Sequence, residues 1–155
     1  MTRPLCVLTV VLGLLVSQRR AALGQHASLS VAAHAGYNFN DLNEPLLGGQ
    51  ATAQIASFAA VNVGGSAYLG VVGSLWIWHM TVRAYPLSRV RAAYLGAGVY
   101  QSRAANGTLR ETDTGFIGTL GVQSAGRLQL FGEFQFLKDG ALSTQVLTGL
   151  GVRIW

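Results

Sequence analysis

Few residues in this chain are suited to covalent chemistry. There are three histidines, His26, His34 and His79, and one cysteine, Cys6. A histidine within hydrogen-bond reach of a hydroxyl would form a base–nucleophile pair for acyl transfer. The candidates by sequence are His34 with Ser30, His79 with Thr81 or Ser74, and His26 with Ser28. In an extended chain, residues four apart are separated by about 13 Å and residues two apart by about 7 Å. His34–Ser30 and His79–Thr81 are therefore too far apart, and no acidic residue stands near either histidine to orient it. No His, Cys or Asp cluster has metal-ligand spacing. Gly96-Ala97-Gly98 lacks the following Lys-Ser/Thr and the helix of a phosphate loop. Glycines there instead relieve crowding on a curved sheet.

The other constellation is ionic. Glu133 and Arg153 fall on polar stripes of neighbouring segments, together with Gln129, Gln135 and Gln145. The stripes come from strict alternation. Over residues 127–137, Leu128, Leu130, Phe134 and Phe136 face one way and Gln129, Phe131, Glu133 and Gln135 the other. Residues 143–155 repeat this, with Val146, Leu150, Val152 and Ile154 opposite Gln145, Gly149, Gly151 and Arg153. A period of two is the strand period. A carboxylate enclosed on such a stripe needs a partner. Arg153 is the first candidate for Glu133, with Arg83, Arg91 and Arg110 as alternatives.

These strands belong to an exported chain. Arg3 precedes the uncharged apolar run 5–16, and Ala22-Leu23-Gly24 supplies small residues before a cut at Gln25. That is the layout of a secretory signal over residues 1–24, with the mature domain at 25–155. The apolar run is shorter than the roughly 20 residues a membrane helix needs. Of 11 Lys+Arg against 6 Asp+Glu, three arginines leave with the signal, so the mature charge is about +2. No basic patch for nucleic acid is present, so no nucleic-acid partner is expected. Cys6 leaves as well, which excludes a disulfide and a thiolate metal site. Only 11% of residues are charged and none lies between Glu44 and Arg83. Globular domains carry about 25%. Such a surface suits lipid.

The remaining segments fit a chain of hairpins. Residues 28–39 alternate as a first strand, 40–49 form a loop, and strands are expected near 51–61, 66–73 and 75–85. A turn at 86–89, a strand at 90–103, a loop at 104–110, a strand at 111–123, a turn at 124–126 and a loop at 138–142 complete the series. With both termini on the inner side, parity allows six or eight strands, and eight is a size natural barrels use. The expectation is an all-β, eight-stranded, antiparallel, up-and-down transmembrane β-barrel. The competing reading is a small helical inner-membrane protein, since residues 59–78 are uncharged and long enough for a membrane helix.

YLGAGVY (94–100), TGFIGTLGV (114–122), LFGEFQF (130–136) and TGLGVRIW (148–155) resemble the small outer-membrane β-barrel domain family, which includes opacity-type and outer-membrane-protein-A-type barrels. The resemblance covers residues 85–155 by composition and 28–84 by pattern. It implies location in the outer membrane of a Gram-negative-type cell, contact with outer-membrane lipid, and recognition of the C-terminal strand by the barrel assembly machinery. In that family the terminal aromatic belongs to the lipid-facing set, whereas strict alternation here turns Trp155 inward, so that either the last strand carries a bulge or Trp155 sits at the rim. The function implied is non-catalytic, structural or surface-interacting, with no cofactor. The alternative is a lipid A acyl hydrolase or acyltransferase. Tyr37, Phe39, Trp76, Trp78, Tyr85, Tyr100, Phe136 and Trp155 are expected as interfacial girdles.

Overall fold

Alternating sequence closes into a ring. The structure, a computed structural model, describes residues 28–39, 43–86, 93–138 and 144–154. The strands are β1 (Ser28–Phe39), β2 (Pro45–Ala56), β3 (Ala59–Tyr68), β4 (Ser74–Ala84), β5 (Ala93–Asn106), β6 (Leu109–Gln123), β7 (Leu128–Lys138) and β8 (Thr144–Arg153). Each pairs antiparallel with its neighbour in sequence, and β8 closes on β1, Ser30 opposite Arg153 and Phe39 opposite Thr144. The signal segment, the turn after Pro86, Arg91, the β7–β8 loop and Trp155 lie outside the described residues.

Burial follows the period of two. On β7, Gln129, Phe131, Glu133, Gln135 and Leu137 are buried, while Leu128, Leu130, Phe134 and Phe136 are exposed. On β4, Ile77, His79, Thr81 and Arg83 point in, and Trp76, Trp78, Met80 and Val82 point out. The polar set is inside and the large apolar set outside, the reverse of a soluble barrel. Closure matters because in lipid an open sheet edge would leave unpaired amides. Among the described residues no helix is long and apolar enough to cross a membrane. Residues 59–78 form β3, a loop and the start of β4, in place of the membrane helix of the competing reading.

The boundaries in the first half differ from the sequence reading. β2 starts at Pro45, so the first loop is shorter than 40–49. A proline is tolerated as the first residue of a strand. Asn62-Val63-Gly64-Gly65, which falls in the gap between the strands expected at 51–61 and 66–73, is the middle of β3. The hairpin between β2 and β3 turns at Ser57-Phe58. The β5–β6 hairpin is tighter than the 104–110 loop expected: Asn106 pairs with Leu109, and Gly107 takes φ +59° at the first central position. Tight hairpins require that left-handed geometry, and glycine supplies it.

Tyr85 and Tyr100 are each 2% exposed, so they are lumen residues and not girdle residues. Parity puts them on the polar stripe. Phe39, Trp76, Trp78 and Phe136 do face outward, on the half of the barrel nearer the β1–β2, β3–β4 and β5–β6 connections. Tyr37 is half-buried, with its hydroxyl donating to the Asn43 carbonyl at 2.7 Å.

Candidate functional site in the barrel lumen

The inner stripes of β2, β3, β4, β5, β7 and β8 converge on one polar network. Its centre is Glu133, 1% exposed on β7. Arg83 Nη2, from β4, donates to Glu133 Oε2 at 2.5 Å, and Tyr94 of β5 donates its hydroxyl to the same oxygen at 2.5 Å. Gln135 Nε2 donates to Glu133 Oε1 at 2.6 Å. Both carboxylate oxygens are thus engaged by donors, as an enclosed carboxylate requires. The Arg83 guanidinium also lies 4.5 Å from the centre of the Tyr94 ring, a cation–π arrangement.

From this centre the network runs both ways. Arg83 Nη2 reaches Gln50 Oε1 at 3.0 Å, and the same oxygen accepts from Asn62 Nδ2 at 3.2 Å. Asn62 Oδ1 faces His79 Nε2 at 3.1 Å. On the other side Gln145 Nε2 donates to Gln135 Oε1, and Tyr68 donates to Gln145 Oε1 at 2.5 Å. The links Arg83–Glu133 and Tyr68–Gln145 join β4 to β7 and β3 to β8, strands that are not neighbours in the ring. They therefore cross the lumen.

Glycines make room for the network. His34 lies opposite Gly48, His79 opposite Gly64, and Tyr94 opposite Gly121. A Cβ on any of these glycines would overlap the facing ring. The large polar side chains lean over the neighbouring strand at these points, which lets rings fit inside so small a barrel.

Glu133, Gln135 and Gln145 occupy the inner stripe, and Gln129 is buried there at 7% exposure. The partner of Glu133 differs from the first candidate. Glu133 is level with Leu147 on β8, and Arg153 is six residues farther along that strand, half-buried and level with Ser30 of β1. Six residues of strand are about 20 Å. Arg83 meets the carboxylate because β4 and β7 face each other across the ring. Gln50, Asn62 and Tyr68, and Thr52, whose hydroxyl accepts from Asn62 Nδ2 at 2.9 Å and from Arg83 Nη1 at 3.3 Å, were not read from the sequence as members of this network. The alternation Trp78-His79-Met80-Thr81-Val82-Arg83 carried a signal for the inner face of β4. Of the strands that meet it in the lumen, β7 carried the same kind of signal in Gln129, Glu133 and Gln135, whereas β2 and β3, rich in glycine and alanine, carried none.

Among the described residues one histidine–hydroxyl pair does form, but not one suggested by sequence proximity. His34 Nε2 lies 2.8 Å from Ser66 Oγ of β3. Both are buried in the lumen, at 4% and 2% exposure. His34 Nδ1 has no hydrogen-bond partner among the described residues, so no carboxylate orients the ring as acyl-transfer chemistry requires. The pair is on the inner face, while acyl chains run along the outer one. Among the described residues no group of three His, Cys, Asp or Glu side chains is arranged for a metal.

Comparison with known proteins bears on the fold. No protein-family model matches the chain, and no curated protein matches it in sequence. Solved structures do match. The N-terminal β-barrel domain of Pseudomonas aeruginosa OprF aligns with TM-score 0.60 at 14% identity, covering 84% of this chain and 100% of that one. The fold is that of the small outer-membrane β-barrels. Ail, the attachment invasion locus protein of Yersinia pestis, crystallised with the heparin analogue sucrose octasulfate, aligns with TM-score 0.52 at 14% identity, over 83% of this chain and 98% of that one. The de novo designed barrel TMB2.3 aligns with TM-score 0.59 at 18% identity, over 86% and 99%. A designed barrel matches as well as a natural one, so the likeness reports architecture and carries no activity. The exterior agrees with the architecture: Val31, Leu47, Met80, Val82, Leu95, Val99, Leu120, Leu130 and Leu150 are each more than 40% exposed. An apolar belt on a closed strand barrel is a lipid-facing surface, and this outer-membrane-type barrel presents it to the bilayer.

Proposed function

We propose that this protein is a non-catalytic outer-membrane barrel with a structural or surface-interaction role, its lumen plugged by the Arg83–Glu133 network. The observation that carries the reading is the crossing itself. Arg83, Glu133, Gln135 and Gln145 are 0–2% exposed and linked wall to wall, which leaves water no room at that level. A lumen filled by side chains is what eight strands enclose. The surface role is supported by the β5–β6 hairpin, whose strands of 14 and 15 residues exceed the 10–12 of the others. In this reading residues 1–24 direct export, and β8 is the strand offered to the barrel assembly machinery.

The non-catalytic part is supported by the position of the His34–Ser66 pair, enclosed and without an orienting acid. Two measurements test the proposal. Purified barrel in planar bilayers should show no steady conductance, and cells expressing it should show no lipid A mass shift. A stable open channel in the wild type would overturn the plug. A lipid A mass shift lost in His34→Ala would overturn the non-catalytic reading.

A further inference from the structure

The outer face of the β5–β6 hairpin changes character toward its tip. On β5 the outward residues run Leu95, Ala97, Val99, Gln101, Arg103. On β6 they run Val122, Leu120, Gly118, Phe116, Thr114, Thr112, Arg110. Both strands pass from apolar to amide or hydroxyl to guanidinium. β4, beside them, carries Trp78 and Trp76, 58% and 47% exposed, near the same end of its outward stripe, with Ser74 beyond them.

Register brings these residues into one patch. Arg103 is directly opposite Trp76 on one side and Thr112 on the other, and Gln101 is opposite Trp78. Arg110 lies two residues before Thr112 on the same face, nearer the hairpin tip, a diagonal neighbour of Arg103. Such neighbours lie about 7–8 Å apart, within the span that two arginine forks can close on one tetrahedral anion. Both arginines are exposed, and neither makes an ion pair with a described residue. Their height also fits. Arg103 is four residues past Val99, about 10 Å above the apolar belt once strand tilt is allowed for, and a long side chain can reach back toward the interface.

From this arrangement we infer that Arg103 and Arg110, beside Trp76 and above Trp78, form a docking surface for the phosphorylated headgroup of a lipid in the surrounding leaflet. The chemistry has two parts. Arginine binds phosphate through paired, charge-assisted N–H donors. The exposed indoles, one level with Arg103 and one below it, hold the headgroup–acyl boundary. A soluble anion would use the arginines alone and gain nothing from the tryptophans, so a membrane lipid is the better occupant. The inference rests on the membrane-barrel reading but not on the plugged lumen.

The test uses the full mature barrel folded into phosphatidylcholine vesicles that contain brominated phosphatidic acid or brominated phosphatidylcholine, with tryptophan quenching as the readout. Wild type should prefer the phosphatidic acid. Arg103→Gln and Arg110→Gln should each reduce that preference about fivefold, the equivalent of the roughly 1 kcal/mol a basic residue gains at an anionic membrane surface. The double variant should lose most of it, and Arg103→Lys should retain part. Arg127→Gln, in the β6–β7 turn at the opposite end, should leave it unchanged. An equal preference in wild type and double variant would overturn the inference. Abolition of the preference by millimolar inorganic phosphate or by a soluble sulfated saccharide would overturn it too, since the occupant would then be a free anion. A separate gel-shift measurement reports folding: failure of wild type to insert at all would count against the barrel reading itself.

Discussion

Cutting the link between Arg83 and Glu133 should damage the barrel more than any other single polar change among the described lumen residues. Glu133→Gln keeps the volume and removes the charge. It weakens the donors from Arg83, Tyr94 and Gln135 and leaves a guanidinium 2% exposed without a counter-ion. Removing one partner from an enclosed pair typically costs about 3–5 kcal/mol. Arg83→Gln should cost a similar amount, because it strands the carboxylate. The double variant removes both charges, so its loss should fall short of the sum by at least about 2 kcal/mol, well beyond the 0.3–0.5 kcal/mol scatter of independent sites. The assay is urea unfolding of vesicle-inserted barrel, followed by tryptophan fluorescence and by gel mobility of unheated samples. Arg153→Gln is the control, and combined with Glu133→Gln it should be additive, since Arg153 sits six residues along β8 from the level of Glu133. Additive losses in the Arg83/Glu133 cycle, or coupling in the Arg153/Glu133 cycle, would refute the reasoning.

Three further outcomes follow from the register and the sequence. Leu130→Arg and Val152→Arg place a charge in hydrocarbon and should cost about 2–4 kcal/mol each near the midplane, whereas Gln129→Arg, on the inner stripe of β7, should cost less; comparing unfolding midpoints checks this. Gly121→Ala puts a methyl where the Tyr94 ring lies and should cost about 1–3 kcal/mol by overpacking, a loss that Tyr94→Ala in the same chain should partly relieve in the unfolding assay. N-terminal sequencing of membrane-extracted protein should begin at Gln25, and a start at Met1 would contradict the export reading.

The second half of the fold was legible because its strands carry large residues in strict alternation. Leu128 to Phe136 needs no knowledge of neighbours to be assigned two faces. The first half reads differently because its small residues do two jobs. Gly64 and Gly65 look like a turn in sequence, but they lie under His79 and Trp78 of the next strand. Gly48 and Gly49 look like the end of a loop, but the first of them lies under His34. A glycine that accommodates a ring across a strand pair cannot be told from a turn glycine until the pairing is known. The candidate site was half-legible for a related reason. Glu133, Gln129 and Gln135 share one strand, so their common face is a local fact. Arg83 is 50 residues away in sequence and meets Glu133 only through the curvature of the ring. The same curvature brings Ser66, and not Ser30, to His34.

The β1–β8 seam bears on how such a chain comes to be built. Ser30 pairs with Arg153 and Phe39 with Thr144, so the last strand must find the first across more than a hundred positions. Until it does, both strands hold an unpaired edge, and hydrocarbon gives those amides no substitute for water. No shorter ladder of hairpins is a resting state in lipid. Contacts that distant are slow to form, since the ends of the chain must be brought together before any of them contributes. Insertion and closure are thus one event, and its rate should depend on whatever holds β8 beside β1 while the edges are still bare.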